Sequence, residues 1–245
     1  MDDLICTNTY IPLLAAPSHR SEMISQILFG ERFHIVDRCL TWLKAETSFD
    51  RDTGWIDSLH GGFKNWKAET EGIIAGRELT CIRDDGSRMR LMPGSELFGL
   101  KANLSAFSMG DEHLLLPGID ISMLAPHACV EETALEFLNA PFLWGGRTPA
   151  GTDCSGLIQI VFKIHGIALP RNAAQQALRG TSVNFFSEAE PGDVLFFSEN
   201  NEAIEHTGIL YDKTTIIHAS GRVRTDKIDH QGIRNEEKGI YTHRL

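Results

Sequence analysis

Several things are scarce in this sequence, and each scarcity excludes a class of protein. Only five of its 245 residues are cysteine (Cys6, Cys39, Cys81, Cys129, Cys154), an odd and scattered set with no C-x-x-C pair. A disulfide framework or a structural zinc site needs paired or clustered thiols, so neither is expected and a reducing compartment fits. No apolar run approaches the roughly 20 residues that cross a bilayer. The opening Met1-Asp2-Asp3-Leu4-Ile5-Cys6 lacks the basic and apolar regions of a secretory signal. The expectation is a cytoplasmic protein; the alternative is an exported one whose leader has been removed. Cations are scarce too: 23 Lys and Arg against 33 Asp and Glu leave a net charge of −10. Nucleic-acid binding rests on cations that neutralise phosphates, so neither nucleic acid nor a membrane is an expected partner. Low-complexity segments and strict repeats are missing as well, and the length suits one to three compact units.

What is present changes texture along the chain. Residues 1–60 hold short β-type runs, such as Arg32-Phe33-His34-Ile35-Val36, punctuated by Gly30 and closed by Gly54-Trp55-Ile56. Residues 61–118 repeat that texture around the turns Asp84-Asp85-Gly86-Ser87 and Pro93-Gly94. Short strands with turn signals between them predict a small barrel or sandwich in each segment, joined at Gly61-Gly62, with Trp42 and Trp55 in the barrel core. Residues 119–245 read as a third domain. Val130, Ala134, Phe137 and Leu138 lie on one helical face, and that helix should stop near Asn139 ahead of Pro141. After a Gly/Pro-rich loop, Leu157, Ile160, Val161 and Ile164 predict a second helix that ends at Gly166. Asn172 is placed to cap a third through Leu178. Three β-type runs follow, at 193–197, 206–211 and 215–219, so the domain is α+β.

Within that domain, Cys154 stands where a helix should begin, capped by Thr152 or Asp153. Free N–H groups and the positive dipole end would there stabilise a thiolate or an oxyanion. A cysteine here can equally be packed beneath the helix, as free cysteines often are. A nucleophilic cysteine needs a base. His206 and His218 lie in successive β-type runs. A hairpin with a three-residue loop at Asp212–Thr214 would set His218 opposite Gly208 and put both imidazoles on one face. A two-residue loop would separate them.

Residues 125 to about 230 resemble the NlpC-type cell-wall cysteine peptidases. The resemblance is carried by Pro141-Phe142-Leu143-Trp144-Gly145-Gly146, Asp153-Cys154-Ser155-Gly156-Leu157, Leu169-Pro170-Arg171-Asn172, Pro191 to Phe197, His206-Thr207-Gly208-Ile209 and Ile217-His218-Ala219-Ser220. It implies a circularly permuted papain-like fold, α+β, preceded here by two segments similar to small SH3-like β-barrels. It also implies a triad: Cys154 as nucleophile, His206 as base and His218 orienting His206. Asp153 and Ser155 are implied at the substrate, and Trp144 as lining the cleft; Arg171 joins the candidate substrate-binding residues through its guanidinium. Relatives often carry Tyr where this chain has Phe142, so no hydroxyl is available there. Tandem barrels before such a domain resemble the dipeptidyl-peptidase-like branch, whose members cleave γ-D-glutamyl-diaminopimelate bonds in wall stem peptides with a free N-terminal L-Ala. In that branch the first barrel closes one end of the cleft.

The implied protein is therefore a γ-D-glutamyl-L-diamino-acid endopeptidase of peptidoglycan-derived peptides (diaminopimelate or Lys), without a cofactor or metal. Three alternatives stand beside it: a secreted hydrolase of intact wall, a binding module that has lost catalysis, and a metal site made by Cys154, His206 and His218. Asp153 could hold the substrate's free amine or simply cap the helix. Arg147, Arg171 and Arg222 could meet substrate carboxylates. The other eight histidines, His243 among them, show no partner pattern and read as structural.

Overall fold

A computed structural model describes residues 4–67, 69–198, 203–236 and 238–245. The chain divides into two compact units, one ending at Pro126 and the other beginning at His127.

The first unit is almost entirely β. Seven strands, β1 (Leu4–Cys6), β2 (Tyr10–Leu14), β3 (Met23–Leu28), β4 (Arg32–Cys39), β5 (Trp42–Thr47), β6 (Thr53–Asp57) and β7 (Phe63–Asn65), form one sheet in the order β3-β2-β6-β5-β4-β1-β7. Its apolar side chains alternate inward, and Ile11, Leu13, Ile27, Phe33, Ala45 and Ile56 close a small core. Trp42 is buried at the edge of this module, with the His19 ring against it at 4.9 Å. A second module follows. It consists of β8 (Gly72–Ile73), β9 (Leu79–Ile82), β10 (Arg88–Leu91), β11 (Glu96–Leu97), β12 (Ala106–Met109) and β13 (Glu112–Leu115), arranged as β10-β9-β13-β12 and β11-β8.

The two modules share side chains. Ile5 and Phe29 of the first enter the core of the second, where Phe29 meets Phe107 edge-on at 5.7 Å. Across the same seam Glu96 N–H donates to Phe29 O (2.9 Å), and Lys64 Nζ donates to Met109 O (2.7 Å). A shared apolar core is why the two modules make one unit.

The second unit sets helices against a curled sheet. Its helices are α1 (Val130–Leu135), α2 (Cys154–Ile164) and α3 (Ala173–Gln176). Two short strands, β14 (Arg147–Thr148) and β15 (Gly151–Thr152), pair just before α2. The sheet runs β16 (Val194–Phe197), β17 (His206–Asp212), β18 (Thr215–Ser220), β19 (Arg222–Asp229), β20 (Gly232–Asn235) and β21 (Ile240–Arg244), each antiparallel to the next. Ser198 N–H donates to Arg244 O at 3.2 Å, so the last strand returns to the end of the first. Leu195, Phe197, Leu210, Ile216, Ile228 and Ile233 fill the concave face. The other face, with Ile209, Ile217, Ala219 and Val223 buried, faces α2, whose Leu157, Ile160, Val161 and Ile164 are all buried.

Two local expectations change. Helix α1 ends at Leu135 rather than near Asn139. Tight i→i−3 turns carry the chain on, and Asn139 adopts φ +67° with its N–H bonded to Val223 O (2.9 Å). The left-handed residue, rather than Pro141, ends that segment. The β17–β18 hairpin has a two-residue turn, Lys213-Thr214, instead of three. Asp212 pairs with Thr215, and its Oδ1 accepts from Thr214 N–H (2.8 Å). The register then shifts between Leu210 and Asp212, so Tyr211 is an inserted bulge residue. One extra residue compensates exactly one missing from the turn, and Gly208 still pairs with His218.

Candidate active site

Helix α2 begins at Cys154 because Asp153 caps it. Asp153 has extended backbone, and its Oδ1 accepts from Gly156 N–H at 2.7 Å. Gly156 is needed on its own account: a Cβ there would lie 2.1 Å from Gly146 O. The loop 143–146 is thus pressed against the first turn of α2. These glycines serve contact within the protein.

Asp153 is buried and saturated. Besides Gly156 N–H, its oxygens receive Arg171 Nη1 (2.9 Å) and Nη2 (2.6 Å), Gly145 N–H (2.7 Å) and Ser155 Oγ (3.3 Å). A carboxylate offers about four lone-pair positions, so no good place remains for a substrate amine. Arg171 is equally engaged: it is buried, and also bonds Ser155 Oγ (2.9 Å) and Gly146 O (3.4 Å). Asp153, Ser155 and Arg171 thus form a network that fixes the loop, the helix start and the Leu169-Pro170-Arg171 segment to one another. Arg147 is also buried, and Arg222 is exposed. Trp144, at the tip of the loop, is 59% exposed, with Phe142 and Leu143 beside it in sequence at 39% and 41%. These are the apolar side chains in this loop that remain free to meet a ligand.

The Cys154 thiol is half-buried and receives backbone hydrogen bonds from Thr207, the residue after His206, and from Ser155. Burial, reinforced by the Asp153 carboxylate, pushes the thiol above its ordinary range, while those hydrogen bonds and Arg171 pull the other way. That upward direction is opposite to the one the helix dipole alone would give. His206 is also held neutral: burial first, then His243 and His218, lower it to about 2. Both shifts favour the uncharged forms of the two groups.

His206 and His218 meet as the sequence pattern required, with His206 Nε2 2.8 Å from His218 Nδ1. Two neighbours were not foreseen. Asp226, buried on β19, has Oδ2 at 3.0 Å from His218 Nε2, and its Oδ1 accepts from Arg224 Nη2 at 2.9 Å. Burial opposes ionisation of Asp226, but the hydrogen bonds from His218 and Arg224 outweigh it and hold the carboxyl below its usual range. His243, read as structural from sequence, stacks on His206 with centroids 4.0 Å apart and planes at 22°. A signal for Asp226 existed: in the strand Arg222–Asp229 it is a lone acid on the face of Arg224 and Ile228. For His243 there was none, since only the curl of the sheet brings it there.

Ligand atoms of His206, His218 and His243 lie within 4.8 Å of one another. The stacked rings of His206 and His243 nevertheless do not direct their in-plane lone pairs to one tetrahedral centre. Cys154 does not join this trio in any metal-sized cluster among the described residues.

A cysteine at a helix start, a histidine on the adjoining strand and a second histidine bonded to the first are matched by known proteins. Residues 139–241 match the model of the NlpC/P60 family, and residues 13–60 that of the bacterial dipeptidyl-peptidase SH3 domain. The chain carries an NlpC/P60 domain. That domain is of the cysteine peptidase class, and the β-rich unit ahead of it contains the SH3-like domain. The gamma-D-glutamyl-L-lysine dipeptidyl-peptidase of Bacillus subtilis is 38% identical over 90 residues, 36% of this chain and 30% of that one. Dipeptidyl-peptidase 6 of Lysinibacillus sphaericus is 24% identical over 250 residues, 89% of both chains. The chain thus spans under a third of the first relative and most of the second. The crystal structure of an NlpC/P60 family protein from Bacillus cereus shares the fold, with TM-score 0.81 over 99% of each chain at 16% identity.

Proposed function

We propose that this chain is a cysteine endopeptidase of peptidoglycan peptides. It cleaves the γ-D-glutamyl–L-diamino acid bond (diaminopimelate or Lys) of stem peptides with a free N-terminal L-Ala, as a step in wall recycling. The observation that carries this reading is the 2.8 Å bond from His206 to His218, formed beside a cysteine at the start of a helix. The names of the two dipeptidyl-peptidase relatives support the substrate end.

In this reading Cys154 Sγ attacks the γ-carbonyl carbon while the free ring nitrogen of His206 takes the thiol proton. The backbone N–H groups at the start of α2 steady the oxyanion. When the C–N bond breaks, His206 returns the proton to the leaving amine, and a thioester remains. Water then attacks the thioester carbon and gives its proton to His206. The thiolate leaves and is reprotonated. His218 holds the ring of His206 throughout, and Trp144 offers an apolar face to the peptide.

Cys154→Ala is expected to abolish hydrolysis of L-Ala-γ-D-Glu-diaminopimelate while the protein stays folded; retained hydrolysis would end this reading. Comparing the free tripeptide with its N-acetylated form and with intact sacculi tests the substrate. Equal rates on all three would remove the requirement for a free amine.

A further inference from the structure

The hydrogen bonds behind His206 run in one direction. The Asp226 carboxylate only accepts, so His218 Nε2, 3.0 Å from it, carries a proton. A neutral imidazole has one N–H and one bare nitrogen, which leaves His218 Nδ1 bare and accepting from His206 Nε2 at 2.8 Å. His206 Nδ1 is then bare too, which is the state a base must be in to take the Cys154 proton.

We propose that Asp226 is a positioning residue that, acting through His218, fixes the tautomer in which His206 can serve as base. This rests on the proposed roles of Cys154 and His206. The three groups sit on neighbouring strands, β17, β18 and β19, where His218 pairs with Arg224 and Asp226 lies two residues further on the same face. His206 and Asp226 are each at most 7% exposed and His218 1%, so water has little access with which to exchange these protons. The charged and titratable groups that face the chain are Arg224 on β19, His243 on β21, and Cys154 with the Asp153–Arg171 pair at the start of α2.

Arg224 makes the consequence of one substitution definite. In Asp226→Asn the amide oxygen goes to Arg224, which can only donate, and the NH2 group therefore turns toward His218. His218 Nε2 must then accept, its proton moves to Nδ1, and His206 receives that proton's hydrogen bond at Nε2. The remaining proton of His206 lies on Nδ1, where it blocks the base.

The test has two arms. Nitrogen NMR of the imidazoles in the histidine-labelled parent is expected to show His206 bare at Nδ1 and protonated at Nε2, and Asp226→Asn to reverse this. The same variant should lose kcat on the order of 10⁴-fold, the scale of a wrong-tautomer histidine in hydrolases, with KM little changed. Arg224→Ala lowers activity in the parent but frees the amide to turn in Asp226→Asn, so in that background it raises kcat. A parent His206 protonated at Nδ1 overturns the proposal. So does an Asp226→Asn enzyme close to parental kcat, or one that Arg224→Ala impairs further, as a merely structural role would have it. If Asp226→Asn fails to fold, the parent spectrum decides. That spectrum needs no substrate, so failure of the tautomer and failure of the peptidase reading are told apart.

Discussion

The imidazole of His243 lies almost flat on that of His206, 4.0 Å between centroids and 22° between planes. Phe197 closes the same pocket, 5.9 Å from His206 and 6.2 Å from His243. A ring clamped between packed rings cannot swing away from its partners, and such aromatic contacts contribute about 0.5–1.5 kcal/mol beyond area burial. His243→Ala is therefore expected to lower kcat by about two- to tenfold, the kinetic equivalent of that energy. His243→Phe, which keeps a flat ring, should recover most of the loss. Steady-state kinetics of the two variants check this; equal losses would assign the effect to the imidazole nitrogens.

The same burial makes the protein sensitive to acid. Burial is the main cause that lowers His206 to about 2 and His243 to about 4, against an ordinary 6.5. The unfolded chain regains the ordinary value, so below pH 6.5 it binds protons that the folded chain refuses. Stability therefore falls as pH drops from about 6.5 toward 4. Asp226 does not contribute in this window, because its stabilisation is lost only as pH falls below the ordinary carboxylate range. Urea midpoints should be lower at pH 5 than at pH 7, and the gap should shrink in His243→Phe. A midpoint independent of pH over that range would contradict the burial of both rings.

Arg171 is predicted to matter for stability before substrate affinity. Its guanidinium and the Asp153 carboxylate form a buried pair with Nη2–Oδ2 at 2.6 Å. Removing one member strands the other charge, a loss of about 3–5 kcal/mol. Arg171→Met should show this in denaturant unfolding of the second unit. Binding to substrate carboxylate, which the sequence suggested, would instead appear as a raised KM with stability intact.

How much was legible depended on range. Cys154 at a helix start, the Asp153 cap and the cap at Asn172 are local chemistry, written within a few residues, and all are found. The pairing of His206 with His218 needed only strand periodicity and one turn. The Asp153–Arg171 pair links residues 18 apart in sequence, and nothing in the local pattern distinguishes such a buried arginine from a surface one. His243 stands at the far end of a six-stranded sheet, and reaches His206 only because Ser198 and Arg244 bring the sheet's ends together. Cores likewise merge without local notice: Ile5 and Phe29 read as first-module residues, yet they pack in the second.

The face shared by the two histidines depends on Tyr211 standing outside the ladder. With the two-residue turn Lys213-Thr214, an unbulged hairpin would pair residues one step out of phase, and side chains on β17 would change faces. His206 would then point away from His218, and Thr207 would take its place on the concave side. Deleting Tyr211 removes the bulge residue and leaves a regular hairpin in which Asp212 still pairs with Thr215, Leu210 with Ile216 and Gly208 with His218. Tyr211 is itself 37% exposed, so loss of its side chain removes little core. Tyr211→Ala is accordingly expected to keep most of its activity, and the deletion also keeps His206 and His218 on one face, so it too should remain active. Hydrolysis assays on the two variants, with circular dichroism to establish that each is folded, separate the backbone effect from the side chain. A folded but inactive deletion variant would show that the bulge itself, and not the register alone, positions His206.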